Sequence, residues 1–329
     1  MATTRGTIFT RARRLLNDGW EDIADPSFTL AEGSSVGGLG AGTYYVVVTS
    51  LAAPYGEGLP IRQSIVVTGA DNKITVTITE QRSVRGFKIY AATASGSELY
   101  IITKDQSQGA STTYDITAMP SGTAAIPTID KRSTLSPYDQ MVEAGRQAFA
   151  ALTVWRPQIK ALTQAGDGSA FDFTQPADWE DDISQFLALE YPTSSRIPSF
   201  YKPVEDYIWP RLFEDKFRTS FTFATGNTGR YWYTVSHALP AADGTNTTLT
   251  DRECEVMTAL WAARICDIKR AEYAAQEDAR GLSDATDSTG RSTYWASLAR
   301  SYSAQAEALA RQLPAWHIPA YGAILGRIG

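Results

Sequence analysis

The chain has 329 residues, with 30 Lys and Arg against 36 Asp and Glu, so its formal net charge is −6. The length predicts about two domains, and a charged fraction of 20% beside 43% hydrophobic residues is typical of a globular protein. The acidic balance disfavours general binding to the backbone of nucleic acids. The longest apolar runs are too short for a membrane span, and the opening residues lack the apolar segment of a signal peptide.

A short amphipathic helix is predicted over residues 7–17. Its apolar residues recur at three- and four-residue spacing, and the sequence Asn17, Asp18, Gly19 supplies a stop. Four arginines surround this helix, and they predict a solvated face or, alternatively, a surface for an acidic partner. The apolar residues are Ile8, Ala12, Leu15 and Leu16, and the arginines are Arg5, Arg11, Arg13 and Arg14.

Residues 30–129 have the pattern of a β domain. Strict alternation over residues 74–79 places the apolar side chains on one face of a strand. Further strands are predicted over residues 44–49, 64–68, 87–92, 98–103 and 113–117. Six or seven short strands in about 100 residues are typical of an antiparallel sandwich. The sequences AGTYYVVV at 41–48 and GFKIY at 86–90 resemble fibronectin type III or related immunoglobulin-like modules.

The remainder of the chain begins with a predicted helix and closes with two more. Ser136 and Pro137 have the pattern of an N-cap and first helical residue, and this helix is expected to end near Arg156. Residues 171–239 are strand-like, with strands predicted over 171–173, 186–191, 217–223 and 231–235. A capping box from Thr250 to Glu253 opens the first closing helix, and the second is predicted over residues 292–313.

The organisation predicts an insertion. A helix of about eleven residues is marginally stable alone, and the helices after Ser136 are its expected partner. The predicted fold is therefore α+β and multidomain: a helical host with a small β region (residues 1–29 plus 130–313), an inserted immunoglobulin-like β-sandwich (30–129) and a C-terminal arm (314–329). Segments 27–40 and 118–133 are expected to be long tethers. The residues expected to pack the host are Leu15, Leu16, Phe149, Leu152, Met257, Trp261, Ile265, Ile268, Leu298 and Tyr302.

No pattern in the sequence predicts catalysis, a cofactor or a metal. The acidic run 178–182 lacks the ligand spacing and glycine of a calcium loop, and His237 is expected to be a structural histidine. In one helix, Cys254 and Cys266 would lie about 18 Å apart along the axis, beyond the roughly 7 Å that a disulfide allows. They are expected to be buried thiols of a protein made in a reducing compartment, and the chain is expected not to be an enzyme.

Outside the predicted insert, the chain resembles the head-to-tail connector (adaptor) proteins of tailed bacteriophages. Residues 8–18 (IFTRARRLLND) resemble the first helix of that family, and residues 138–157 resemble its second helix and exit. Residues 176–179 and 189–192 match the strand region of longer members. The closing pair of helices is matched at 251–253, 274–280 and 291–294. The inserted β module departs from the compact members of the family.

The resemblance implies a virion protein of the neck, made in the host cytoplasm. It would form a dodecameric ring below the portal protein, extend the DNA exit channel and provide a platform for tail or neck proteins. DNA would pass without specific binding, since an acidic lumen repels phosphate, and no membrane is involved. Such adaptors often have a C-terminal arm that reaches into the portal, and the resemblance implies that the segment with Trp316, His317, Ile318 and Tyr321 is this arm. The alternative is a tail that folds back on its own domain.

Two alternatives remain open on the sequence. One is another neck or tail structural protein, whose sandwich polymerises or contacts a different virion component. The other is a glycan-cleaving virion protein that uses carboxylates in the strand-like region, with Asp178, Glu180 and Glu190 as the candidates. Ring stoichiometry, tail type and the partner of the inserted module are not determined by these patterns.

Overall fold

The computed structural model describes residues 3–81, 83–106, 110–122, 124–165, 170–174, 176–190, 201–202, 208–209, 216–222, 225–280 and 285–313. These residues form four α-helices and fourteen strands, and every strand pair among them is antiparallel. The expected mixed α+β class is thereby confirmed. Among the described helices, none combines the length and apolar character needed to cross a bilayer.

The chain divides into two compact units. One, the split unit, consists of Met1–Ala12 and Ala144–Gly329; the other, the β unit, is Arg13–Glu143. Both divisions fall within helices, whereas the sequence suggested boundaries at 29/30 and 129/130. Residues 13–29 and 130–143 therefore belong to the β unit, because buried polar side chains near its two ends bond to each other.

Seven strands form two sheets in the β unit. The sheet orders are β1-β4-β7 and β3-β2-β5-β6. Apolar side chains from both sheets share one core, which includes Phe28, Val46, Val76 and Phe87. The strands are β1 (Phe28–Leu39), β2 (Gly42–Ala52), β3 (Ile61–Val67), β4 (Asn72–Thr79), β5 (Val84–Ala92), β6 (Leu99–Asp105) and β7 (Ser111–Ile116). The predicted alternation of β4 is confirmed, since Ile74, Val76 and Ile78 are fully buried.

The two segments expected to be tethers are part of the β unit's structure. Residues 28–34 pair in continuous register with β4, so segment 27–40 is mostly a strand. Segment 118–133 also bonds to the unit: the Tyr100 N–H donates to the Ala124 carbonyl at 2.9 Å, and the Ser133 N–H donates to the Tyr55 carbonyl at 2.9 Å. The tether prediction was wrong because backbone pairing depends little on the small polar side chains that suggested a linker.

The split unit combines three helices, the start of a fourth and two small sheets. Its helices are α1 (Arg5–Leu15, as far as Ala12), α2 (Tyr138–Trp155, from Ala144), α3 (Asp251–Arg280) and α4 (Ala285–Arg311). The sheet orders are β11-β10-β14-β8 and β12-β13-β9. The strands are β8 (Gln158–Ala165), β9 (Ala170–Thr174), β10 (Phe186–Glu190), β11 (Tyr201–Lys202), β12 (Ile208–Trp209), β13 (Lys216–Thr222) and β14 (Thr228–Val235).

The helix ends agree with the sequence in one case and differ in two. Thr250 and Glu253 form the expected capping box, with the Thr250 N–H donating to Glu253 Oε2 at 2.8 Å. Ser136 does not cap α2: its buried hydroxyl has no hydrogen-bond partner among the described residues, and the Pro137 carbonyl accepts the first helical bonds. The last helix begins at Ala285, earlier than the predicted residue 292.

Candidate functional site

The opening segment of the chain is held by the loop that connects β14 to α3. Thr4 caps α1, because its hydroxyl oxygen accepts the Thr7 N–H at 3.3 Å. The buried Arg5 guanidinium donates to the carbonyls of Pro240 and Ala241 at 2.8 and 2.7 Å. It also pairs with Asp243 at 3.0 Å. These bonds join two parts of the chain that are more than 200 residues apart in sequence.

Trp261 of α3 is the centre of the helical core in the split unit. Its side chain is fully buried, and its ring lies 5.1 Å, centroid to centroid, from the ring of Phe9 in α1. Gly145 of α2 allows this close packing, since a Cβ atom there would lie 2.5 Å from Trp261 Cζ2. Helices from both ends of the chain therefore meet around one aromatic side chain.

Most of the residues expected to pack the host are buried. Ile268, Leu298 and Tyr302 are half-buried, on the parts of α3 and α4 away from the central core. The fully or nearly buried residues are Phe149, Leu152, Met257, Trp261 and Ile265.

Leu15 and Leu16, which were expected to pack the host, are not part of the split unit. Both belong to the β unit, where Leu16 is buried and Leu15 is 41% exposed. The helix ends at Leu15, and Asn17 has a left-handed φ of 53°. The chain changes direction at that point, so the helical spacing no longer sets which side chains are covered.

A buried polar cluster, here called the clasp, joins the two ends of the β unit. Its central residue is Asp18, whose side chain is completely buried and accepts a hydrogen bond from Arg13 Nε at 2.7 Å. Asp18 also accepts from the Ser133 hydroxyl at 3.0 Å and from the Thr134 N–H and hydroxyl, both at 2.9 Å. The Arg13 guanidinium donates to the Arg132 carbonyl and lies 4.4 Å from the Trp20 ring.

Arg132 extends the clasp. Its guanidinium pairs with Asp130 at 2.7 Å and Asp25 at 3.0 Å, and it donates to the Ile23 carbonyl at 2.6 Å. Because buried charges are stable only when they are paired and hydrogen-bonded, this arrangement fixes the geometry at which the chain enters and leaves the two sheets.

The sequence predicted that the four arginines near α1 form a solvated face, and this holds for only two of them. Arg11 and Arg14 are exposed, but Arg5 and Arg13 are buried and bonded. Sequence analysis missed these roles because the partners at 132–134 and 240–243 are distant in the chain. The acid five residues after Arg13 was the only local signal of an ion pair.

His237 is held as a structural histidine. Its Nε2 must donate to the Arg156 carbonyl at 2.9 Å, which leaves Nδ1 to accept from the Thr248 hydroxyl at 2.9 Å. Burial lowers the pKa of His237 below its ordinary value, despite the opposing effect of Glu253. The ring is therefore neutral, and both of its nitrogens are engaged in hydrogen bonds, so neither is free for proton transfer.

Two carboxylates of the acidic run, those of Asp178 and Glu180, form bonds within the chain. Asp178 pairs with Lys160 at 2.5 Å and accepts from the Tyr233 hydroxyl at 2.8 Å. The hydrogen bond from Lys160 lowers the pKa of Asp178, which is opposite to what a general acid requires. The Glu180 carboxylate accepts from the Ser236 hydroxyl. The side chain of Glu190, the third candidate, lies outside the described residues.

The described residues also contain no group of three or more metal-ligating side chains. Cys254 and Cys266 are buried and free of a disulfide, as expected. Burial raises the pKa of Cys266 to about 12 and also raises that of Cys254. Both thiols are therefore protonated and unreactive at neutral pH.

Three large apolar side chains are exposed among the described residues of the split unit. Val154, at the C-terminal end of α2, is 82% exposed, and the adjacent Trp155 is also exposed. Tyr294 is exposed on α4. The expected arm residues Trp316, His317, Ile318 and Tyr321 lie outside the described residues.

Comparison with known proteins gives no further assignment. No protein-family model matches the chain, and no curated protein is significantly similar to it.

Proposed function

We propose that the chain is a head-to-tail connector (adaptor) of a tailed bacteriophage, a structural virion protein rather than an enzyme. The observation that carries the proposal is the joining of the opening segment to α2 and α3 around Arg5 and Trp261. The sequence predicted that the opening helix packs on the helices after Ser136, and this contact agrees with that prediction. Exposed apolar residues such as Val154 then provide contact surfaces for neighbouring subunits.

In this proposal the chain forms a dodecameric ring in the neck, below the portal protein, and holds tail or neck proteins on its other side. The net charge of −6 supports passage of DNA without specific binding, because acidic side chains repel phosphate. The segment containing Trp316 and Tyr321 is the arm that enters the portal. Large aromatic anchors supply the contact area that ordering such a segment requires.

We propose further that the β unit is an immunoglobulin-like or fibronectin type III-like module. Two antiparallel sheets over one core support this assignment. Its strand order departs from the constant-type immunoglobulin domain, since β1 pairs with β4 and not with β2. The module contains no cysteine, so no disulfide joins its two sheets.

Of the two alternatives, another neck or tail structural protein would use the same surfaces with a different partner. The glycan-cleaving alternative is disfavoured by Asp178 and Glu180, since both carboxylates are occupied by bonds within the chain. The lowered pKa of Asp178 is opposite to what the general acid of such an enzyme requires.

Co-sedimentation with portal rings from the phage that encodes the chain tests the proposal. Full-length chain is expected to sediment with the portal, and the W316A/Y321A variant is expected to lose most of this association while keeping its melting temperature. A matched variant, Y294A, removes one exposed aromatic residue from α4 and is expected to leave portal binding intact. Sedimentation of the chain entirely apart from the portal would contradict the proposal.

A further inference from the structure

A cavity of about 360 Å³ lies in the β unit, on the face of the β3-β2-β5-β6 sheet that is opposite to the shared core. Its polar wall is formed by Glu57, Lys88 and Tyr90, and Tyr100 supplies an aromatic wall. The segment that follows β7 closes the other side with Ala124, Ala125 and Pro127. The volume lies at the lower end of the range of small-molecule sites, which suits a small ligand.

Glu57 is held rigidly at the wall of this cavity. Its Oε1 accepts from the Thr49 hydroxyl at 2.6 Å and from the Tyr90 hydroxyl at 2.7 Å, and its Oε2 accepts from Lys88 Nζ at 2.6 Å. The backbone is fixed as well, because the Glu57 carbonyl accepts the Lys131 N–H at 2.9 Å. At Gly56, where φ is 88°, any Cβ would collide with the Lys131 carbonyl.

This polar wall retains unused hydrogen-bonding capacity. A carboxylate has about four acceptor positions, and Glu57 uses three of them within the described chain. Lys88 Nζ carries three donors, and one of them is used among the described residues. Burial raises the pKa of Tyr90, so its hydroxyl stays protonated and continues to donate to Glu57. The wall therefore offers one acceptor and two donors side by side.

Among the described residues that line the cavity, Glu57 and Lys88 carry the two charges, and these cancel because the side chains pair. A charged ligand would gain little from such a neutral pair. A hydroxyl suits it well, because one hydroxyl both accepts from an ammonium and donates to a carboxylate. The carbon face of a ring would rest against Tyr100, whose ring meets that of Tyr90 edge-on at 5.8 Å.

We propose that this cavity binds one pyranose ring of an uncharged saccharide, with Lys88 and Glu57 contacting adjacent hydroxyls and Tyr100 contacting the ring face. This inference does not depend on the connector proposal. A free sugar and the terminal unit of a longer glycan present the same ring chemistry. Binding to a shallow site of this size is expected to be weak, with a dissociation constant of about 1 mM.

Saturation-transfer NMR and titration of the full chain with a panel of neutral monosaccharides test the proposal. The panel contains glucose, galactose, mannose, rhamnose and N-acetylglucosamine, and a second arm uses their oligosaccharides to distinguish free sugars from glycan ends. At least one monosaccharide is expected to bind saturably. Equal binding by the oligosaccharide that ends in the same unit identifies a glycan end; loss of binding identifies a free sugar.

Two variants locate the site. Lys88→Met removes the donor, and Ala125→Trp fills the cavity without removing a polar contact; each is expected to weaken binding at least about tenfold. The matched control is Lys73→Met, because Lys73 pairs with Asp115 at 2.7 Å and is 31% exposed, against 32% for Lys88, but lies outside the cavity. This control is expected to bind like the unchanged chain. Absence of saturable binding across the panel, or full binding by Ala125→Trp, would overturn the proposal.

Discussion

Asp18 shows how much a single buried charge contributes to the β unit. Replacing it in Asp18→Asn removes the negative charge that compensates Arg13, and the remaining buried guanidinium is expected to cost about 3–5 kcal/mol of unfolding free energy. Urea denaturation measures this loss.

Glu21→Gln is the matched control for that substitution. Glu21 also pairs with an arginine, Arg14, at 2.6 Å, but both side chains are exposed. Water screens such pairs, so the midpoint of denaturation is expected to stay nearly unchanged. Equal effects from the two substitutions would show that the clasp is solvated and contributes no more than a surface pair.

The burial of His237 leads us to expect that the stability of the protein depends on pH. Its pKa in the folded protein is lowered by burial, so the folded state resists a proton that the unfolded chain binds below about pH 6.5. The unfolding free energy is therefore expected to fall as the pH drops below that value, by at most about 1.4 kcal/mol per pH unit from this group. Above about pH 6.5 its contribution is constant.

NMR titration of the His237 ring measures the pKa directly, and His237→Gln is expected to reduce the acid slope of the unfolding free energy. A ring that becomes protonated at its ordinary pKa, with no change of slope in the variant, would contradict the buried geometry. The backbone N–H of residue 237 still has its acceptor, the Thr153 hydroxyl, in this variant.

At the scale of elements, the contact between α2 and α3 determines whether a glycine-to-alanine substitution stabilises or destabilises the protein, and helix propensity alone predicts the wrong direction. Gly145→Ala would ordinarily stabilise a helix, but its Cβ would lie 2.5 Å from the buried Trp261 ring. The substitution is expected to destabilise the protein by about 1–3 kcal/mol. Thermal denaturation measures the change.

Gly290→Ala makes the same change in α4, where a Cβ meets no atom within 4 Å. It is expected to stabilise the protein by about 0.5–1 kcal/mol. Opposite signs for the two substitutions confirm the close approach of Gly145 to Trp261, whereas stabilisation by both would rule it out.

The sequence predicted elements well where one face of the element is buried. The alternation of Ile74, Val76 and Ile78 and the capping box at Thr250 both have the structures that their patterns indicate. Strands β1 and β8 were missed because glycine and serine interrupt the alternation in β1, and glutamine, lysine and alanine weaken the strand pattern in β8. The clasp and the bonds that Arg5 makes to residues 240–243 were missed because each joins residues that are distant in the chain.

At the scale of the whole molecule, the position of the clasp indicates which fragment of the chain should fold as an isolated β unit. A fragment of residues 13–143 contains both ends of the clasp and the shared core, and it is expected to unfold in one cooperative transition. A fragment of residues 30–129 lacks Asp18 and Arg132 and begins after Phe28, the first residue of β1. It is expected to be markedly less stable in thermal denaturation; equal melting temperatures would show that the clasp is dispensable.

The proposed connector role is tested by electron cryomicroscopy of the neck of the phage particle. We expect a ring of this chain against the portal, with α1 beside Trp261 of α3 in every subunit and an acidic lumen around the DNA. A position elsewhere in the particle, or a particle that lacks this chain, would contradict it.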